Sequence, residues 1–227
     1  METYRILNLY SCLGGNRLNY DKVVNRANYK IQVTAVENDP ELAKLYQIRF
    51  PNDIVVIGDA KEFLLKNFRN YDYIFASPPC PTHSKIRHQR ACYFDNETYP
   101  VVYPDMSLYQ IIILLDKYFK GKWTVENVAP YYTPLIPPKK RGRHLYWTNF
   151  NLPNVLSNRK TPKIGKVGTS EIQSLCEFHK YDFKQYKGTQ RIDKIARNLV
   201  DFKAGETILE TALNIYVSDN SKQTCLF

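Results

Sequence analysis

Tyr71-Asp72-Tyr73-Ile74-Phe75-Ala76 runs directly into Ser77-Pro78-Pro79-Cys80-Pro81-Thr82-His83-Ser84, and this junction decides how the chain is read. The first six residues are rich in aromatic and β-branched side chains and predict a strand. Two consecutive prolines lack the N–H groups that would extend a ladder and cannot enter a helix interior. Each also pushes its predecessor toward an extended backbone. The strand therefore ends in a stiff loop that carries one thiol. At the carboxyl end of an α/β strand such a thiol faces the crevice where ligands bind. The structural alternative is a small apolar residue in a proline turn, since many free cysteines are buried and inert.

Outward from this junction, strand and helix signals alternate. Tyr4–Tyr10 predicts a first strand, followed by a Gly14-Gly15 turn and a helix from about Arg17 to Asn28. Ile31–Val36 predicts a second strand. Asp39 then caps a helix with Pro40 at its first position, running to about Phe50. Asp53–Ile57 predicts a third strand, and the helix after it reaches about Phe68. Beyond the proline loop come a helix from Met106 to about Phe119 opened by Asp105, a strand Lys122–Val125, and a proline-rich turn into Lys139–Arg143. A strand His144–Phe150 follows, and the chain closes with helices Gln190–Asn198 and Phe202–Asn214 and a tail. Short alternation of this kind predicts a parallel sheet with helices on both faces. Residues 77–104 form a connection longer than the fold needs. Its basic and aromatic residues suit a nucleic acid, and the alternative is a solvated lid.

The 227 residues suffice for one substantial domain, and a 44% hydrophobic content can supply its core. A formal charge of +10 favours an anionic partner, nucleic acid before membrane surface, although lysine bias alone gives the same count. The 5 cysteines form no CxxC pair and the 4 histidines have no metal spacing, so neither a disulfide framework nor a metal site is expected. The sequence has no signal peptide or long apolar run, and a soluble, reducing compartment is expected. Cys225-Leu226-Phe227 is one residue short of a prenylation box and receives no role.

The predicted strand ends deliver a Gly-Gly turn, Glu37, Asp59, Cys80 and Glu126 to one crevice. The glycines allow close backbone approach to a ligand, or simply make a turn. Glu37 at the end of the second strand suits a ribose diol. Asp59 accepts from an amino group such as adenine's, or caps the next helix. No phosphate-loop Lys-Ser/Thr follows the glycines, which favours a nucleoside ligand over a triphosphate. A carboxyl beside a thiol raises the thiol's pKa, unlike the usual activated cysteine. The pair makes sense if Glu126 protonates a ring nitrogen while the sulfur attacks a neighbouring carbon, as addition to a pyrimidine requires.

At this point the chain resembles the DNA (cytosine-5) methyltransferases, in particular their short phage and bacterial members. Tyr10-Ser11-Cys12-Leu13-Gly14-Gly15 is similar to the first cofactor motif, with Cys12 in place of its first glycine. Val36-Glu37-Asn38 and Gly58-Asp59-Ala60 resemble the second and third. Pro78-Pro79-Cys80 resembles the catalytic Pro-Cys motif, and Glu126-Asn127-Val128 the Glu-Asn-Val motif. Lys139-Lys140-Arg141-Gly142-Arg143 is similar to Gln-x-Arg-x-Arg, with Lys139 in place of glutamine. Arg197-Asn198-Leu199-Val200 resembles the last motif.

The resemblance implies a Rossmann-like class I S-adenosylmethionine-dependent methyltransferase sheet with a very small target-recognition insertion. Residues 1–150 would be the catalytic and cofactor-binding domain, 151–188 the reduced recognition segment, and 189–227 helices packing back, with a tail. It implies Cys80 as nucleophile, Glu126 as the acid at N3, and Arg143 and Arg141 on the flipped nucleotide. The alternative for both arginines is a basic turn on a solvated face. S-adenosylmethionine would be held by Tyr10, Cys12, Gly14, Gly15, Glu37, Asn38, Asp59, Ala60, Pro78 and Asn198. Ser84, Lys85, Arg87, Arg90 and Asn127 would face double-stranded DNA, with Asn127 chiefly ordering the Glu126 loop. No metal or membrane is implied, and the setting would be the cytoplasm of a bacterium or phage-infected host, with restriction partner, host evasion and gene control all left open as the purpose. A protein partner or oligomer would compensate for the short recognition segment. RNA as substrate, and an inactive DNA-binding relative, are the alternatives.

Overall fold

The computed structural model describes residues 1–94, 97–162 and 169–217. Part of the weakly periodic stretch within 151–188 (163–168) and the tail 218–227 with Cys225 lie outside the described residues. The strands are β1 (Thr3–Leu9), β2 (Lys30–Glu37), β3 (Ile54–Ile57), β4 (Tyr73–Ala76), β5 (Lys122–Val128), β6 (Lys139–Arg141) and β7 (His144–Thr148). They form one sheet in the order β3-β2-β1-β4-β5-β7-β6. Neighbours from β3 to β5 are parallel, whereas β7 runs antiparallel to β5 and β6 antiparallel to β7. The sheet is therefore mixed, not wholly parallel. Gly142 causes the difference. Its φ of +57° sits at the first central position of a two-residue loop between Arg141 and His144, where a type II′ hairpin turn needs a glycine.

The helices are α1 (Tyr20–Arg26), α2 (Pro40–Arg49), α3 (Ala60–Asn67), α4 (Lys85–Tyr93), α5 (Ser107–Tyr118), α6 (Thr169–His179), α7 (Ile192–Asn198) and α8 (Phe202–Ala212). Alternate strand residues go to opposite faces. Leu7, Leu9, Ile74 and Val125 pack with Leu108, Ile111, Ile112 and Leu115 of α5. Ile6, Val33, Tyr73 and Phe75 pack with Val23 and Val24 of α1 and Ile208 and Leu209 of α8. Both faces are covered, so the central strands read as nearly continuous apolar runs. Burial of each such aliphatic side chain contributes about 1.5–3 kcal/mol.

Several boundaries differ from the sequence reading. The first helix opens with a 3-10 turn, Asn16–Asn19, and ends at Arg26. The long connection after β4 contains α4, a helix that buries none of its residues and so leaves no apolar stripe in the sequence. Asp105 accepts from Ser107 N at 2.9 Å but lies one residue before the cap of α5. Glu126 is inside β5, not past its end.

The carboxyl-terminal helix packs directly against the amino-terminal turn. A Cβ on Gly205 would lie 2.4 Å from the Asn16 carbonyl oxygen and 2.6 Å from its Cα. Asn19 Nδ2 donates to Glu206 at 2.7 Å and Arg26 to Glu210 at 2.6 Å across the same contact. Gly205→Ala should therefore destabilise the protein by about 1–3 kcal/mol. Gly58, with nothing within 4 Å of its would-be Cβ, should tolerate alanine within about 1 kcal/mol. Urea unfolding of the two variants measures both.

Candidate active site

A cleft of about 620 Å³ opens at the carboxyl ends of β1 to β5. At the end of β1, Tyr10 and Cys12 adopt φ of +55° and +47°, a left-handed backbone that costs a non-glycine residue about 1–2 kcal/mol. The bend aims Cys12 N–H at Glu37 Oε2, 2.8 Å away. Glu37 Oε1 accepts from Asn38 N and Asp39 N at 3.0 Å each. Burial pushes this carboxyl up and the three N–H groups pull it back. Three of about four acceptor positions are thus filled, leaving one for a ligand. Tyr10, Cys12, Glu37, Asn38 and Asp59 all line the cleft. Asp59 also caps α3, accepting from Glu62 N at 2.8 Å, which is the helix-capping reading of this residue.

The glycine pair works differently from the expectation. Gly14, at φ +65°, faces Phe50 and Tyr46, whose ring atoms lie 2.5 and 2.7 Å from its would-be Cβ. Gly15 lines the cleft, yet its close neighbour is the Val200 carbonyl oxygen, 2.2 Å from a would-be Cβ. The backbone that approaches closely is the protein's own returning chain. Ala60 is buried in the core against α5 and does not line the cleft.

Two strands bring the reactive groups together. Ser77 Oγ donates to Glu126 Oε2 at 2.5 Å, and Asn127 Nδ2 donates to the Pro78 carbonyl at 3.0 Å. These bonds hold the proline loop against β5, and Cys80 and Glu126 line the same cleft. Asn127, 2% exposed, is used in this tie. Burial, then the Glu126 carboxylate, push the Cys80 thiol up, and Lys194 opposes them. Pro78, Lys194 and Asn198 also line the cleft. Lys194 gave no local signal in the sequence, and Ser77 was quoted there without a role.

The two arginines of the hairpin part company. Arg143 lines the cleft. Arg141 points away, donating to the carbonyls of Pro153 at 2.5 Å, Leu152 at 2.9 Å and Lys140 at 2.8 Å. Its place on the paired strand β6 directs it to the 151–153 segment, which it anchors. Lys139 is similarly engaged, with Nζ bonds to Thr148 and Phe150. Of the residues expected to face DNA, Ser84 lines the cleft and Lys85, Arg87 and Arg90 lie on α4. Arg87 donates to the Pro100 carbonyl at 3.4 Å and Arg90 sits 5.4 Å from the Tyr99 ring centroid. Among the described residues, no group of three or more His, Cys, Asp or Glu could hold a metal ion, and no helix is long and apolar enough to cross a membrane.

A seven-stranded sheet in this order, with its single antiparallel hairpin, has the class I S-adenosylmethionine-dependent methyltransferase fold. Within that class, residues 4–99 match the family described as C-5 cytosine-specific DNA methylase, so over this segment the resemblance carried by the motifs is a finding. Among solved structures, a candidate DNA modification methyltransferase encoded within an E. coli prophage is 21% identical, with a TM-score of 0.34 over 57% of this chain and 33% of that one. A mutant of Spodoptera frugiperda DNMT2 is 22% identical, with a TM-score of 0.37 over 55% and 35%. Entamoeba histolytica methyltransferase EhMeth is 17% identical, with a TM-score of 0.34 over 56% and 39%. The chain thus covers about a third of the length of the first two. No curated protein matches.

The Cys80 thiol sits above its ordinary value of 9.0 because of burial and the neighbouring carboxylate. Its alkylation by iodoacetamide, followed in a Cys92→Ser/Cys225→Ser background, should therefore keep accelerating past pH 9. Glu126→Gln removes the repelling charge and should move that profile to lower pH. An unmoved profile would mean that the carboxyl does not act on the sulfur.

Proposed function

We propose that the protein is a DNA cytosine-5 methyltransferase that forms a covalent bond between Cys80 and C6 of an extruded cytosine. The observation that carries this reading is the Pro78–Cys80 loop tied to Glu126 and Asn127 at one cleft, within a chain whose residues 4–99 match the cytosine-specific family. On this reading the remaining acceptor position of Glu37 takes a ribose hydroxyl. Asp59 takes the adenine amino group, and Tyr10, Cys12, Gly15, Asn38, Pro78 and Asn198 enclose the rest of S-adenosylmethionine. That cofactor, when bound, supplies a sulfonium methyl group.

The chain's own residues do the following. A cytosine in the stack is unreachable, so the base is turned out into the cleft. The Cys80 thiol gives its proton to solvent and the thiolate bonds to C6 as Glu126 gives a proton to N3, so that the C5–C6 π electrons make C5 nucleophilic. Once C5 carries the methyl group, its proton passes to solvent, the sulfur–C6 bond breaks to release the thiolate, and the N3 proton returns to Glu126. Arg143 holds the extruded nucleotide from the hairpin turn. Arg141 acts one step removed, by fixing residues 152–153 behind that turn. Residues 1–150 form the catalytic domain, 151–188 the recognition segment, and 189–227 the returning helices and tail. The α4 segment closes on the DNA from the other side, and duplex binding weakens steeply with salt as counterions are released.

Cys80→Ser should bind S-adenosylmethionine with a Kd within about threefold of wild type, yet lose methyl transfer by roughly 10²-fold or more and all covalent trapping on 5-fluorocytosine DNA. Tritium transfer to duplex DNA and to tRNA in parallel measures the activity and decides the substrate. Full activity in this variant would overturn the proposal.

A further inference from the structure

Glu126 has two polar neighbours that the chemistry above leaves unused. Ser77 Oγ binds Oε2. On the other side, His144 Nε2 lies 3.6 Å from Oε1. His144 opens β7, paired with Val128 of β5 and with Arg141 of β6. It stands in the wall between the cleft and a second cavity of about 350 Å³ enclosed by the hairpin, residues 154–161 and α6 to α8. Glu126, Arg143 and His144 line both cavities. The imidazole therefore has the carboxylate on one side and a second space behind it.

The charged and titratable groups around this wall are Glu126 on β5, Arg141 and Arg143 on the hairpin, Tyr146 on β7, His179 on α6, Arg197 on α7, and Arg159 and Asp201 beyond them. Arg197 pairs with Glu171 and Arg159 with Asp201, so their charges are largely balanced. Burial lowers His144 below its usual 6.5, Glu126 pulls it up and Arg143 pushes it down. At neutral pH the ring is uncharged and can present one N–H to the carboxyl. The 3.6 Å separation is too long for a hydrogen bond as it stands, and a small side-chain rotation closes it, as catalytic contacts do on substrate binding.

We propose that His144 is a positioning residue for Glu126 and a pH gate on it. In its neutral form the Nε2–H orients the carboxyl, with Ser77 holding the other oxygen. When the ring takes a proton from solvent it becomes a counter-ion for the carboxylate 3.6 Å away and draws Oε1 toward β7, out of position for the substrate. The gate closes only on the acid side of pH 6.5, because His144 is neutral above its lowered midpoint. Cys80, whose thiol is pushed upward, titrates on the alkaline side and leaves this window clear.

The inference rests on Glu126 as the proton carrier, so its test has an arm that needs no turnover. Imidazole NMR titration, with His144 assigned by His144→Gln, should give a midpoint below 6.5 in the wild type. In Glu126→Gln the midpoint should fall by a further half unit or so. Equal midpoints in the two proteins would overturn the pairing. The second arm follows kcat from pH 5 to 8. The wild type should lose turnover toward pH 5, and His144→Gln, which always offers a neutral donor, should lack that acid limb. His144→Phe should lower kcat by about tenfold with KM little changed, and more than His144→Gln does. An identical acid limb in His144→Gln, or wild-type kcat in His144→Phe, would overturn the gate. A wild type with no methyl transfer to DNA or tRNA would refute the cytosine reading, while the titration arm would still decide the pairing.

Discussion

Two hydrogen bonds across the gap between β4 and β5 hold the chemistry in place: Ser77 to Glu126, and Asn127 to the Pro78 carbonyl. The main-chain pairing of these strands stops at Ala76 opposite Val125. Pro78 and Pro79 have no N–H to extend it. The Pro78 carbonyl would then be left without a donor, which costs a buried group about 1–3 kcal/mol. Side chains of β5 take over from the ladder at this point. The stiff proline loop fixes where the sulfur is, and these two bonds fix the loop relative to the carboxyl. The same residues thus continue the sheet and build the site.

That arrangement has an electrostatic consequence. A thiol that is buried and beside a carboxylate is harder to ionise, the reverse of the cysteine–imidazolium pairs of hydrolases. Lys194, reaching the cleft from α7, works in the other direction. The resting site therefore keeps its sulfur protonated and quiet toward adventitious electrophiles. Under the function proposed above, a ring nitrogen that engages the carboxyl would remove the repulsion and free the thiolate in the same event, a selectivity that requires no contact with neighbouring nucleotides.

The strand ends were legible because each carries a local signal: a Pro-Pro run after β4, Asp39-Pro40 after β2, Gly58-Asp59 after β3. Asp39 does cap α2, with Oδ1 accepting from Glu41 and Leu42. What no local pattern records is that its other oxygen accepts from Tyr186 and Gln190 at 2.7 Å each, tying the returning chain to the second strand's exit. The purpose of Gly14 and Gly15 was hidden for the same reason, since Phe50 and Val200 become their neighbours only after folding. The direction of β7 depended on one glycine in a run of basic residues that also suited a solvated turn. Arg141 and Arg143 look alike in sequence, and strand pairing alone separates them. Helix α4 escaped notice because an element with no buried face has no hydrophobic period to detect.

The formal charge of +10 is distributed in a way its total does not reveal. Arg5 pairs with Asp72, Arg26 with Glu210, Arg159 with Asp201 and Arg197 with Glu171, and Arg17 makes a bidentate pair with Asp53 and a second with Asp21. Arg159 also lies between the rings of Phe178 and Phe202, 3.9 and 4.0 Å from their centroids. These guanidiniums brace the fold, and three of them, Arg26, Arg159 and Arg197, fasten the second half of the chain to itself or to the first half. A planar, multi-donor cation suits such bracing because one side chain satisfies several acceptors at once. The cationic groups facing outward include lysines, Arg69, Arg143 and Arg191 as well as the arginines of α4. On α4, Arg87, Arg90 and the stacked pair His88–Tyr131, 4.2 Å apart, stand next to the loop that carries the sulfur.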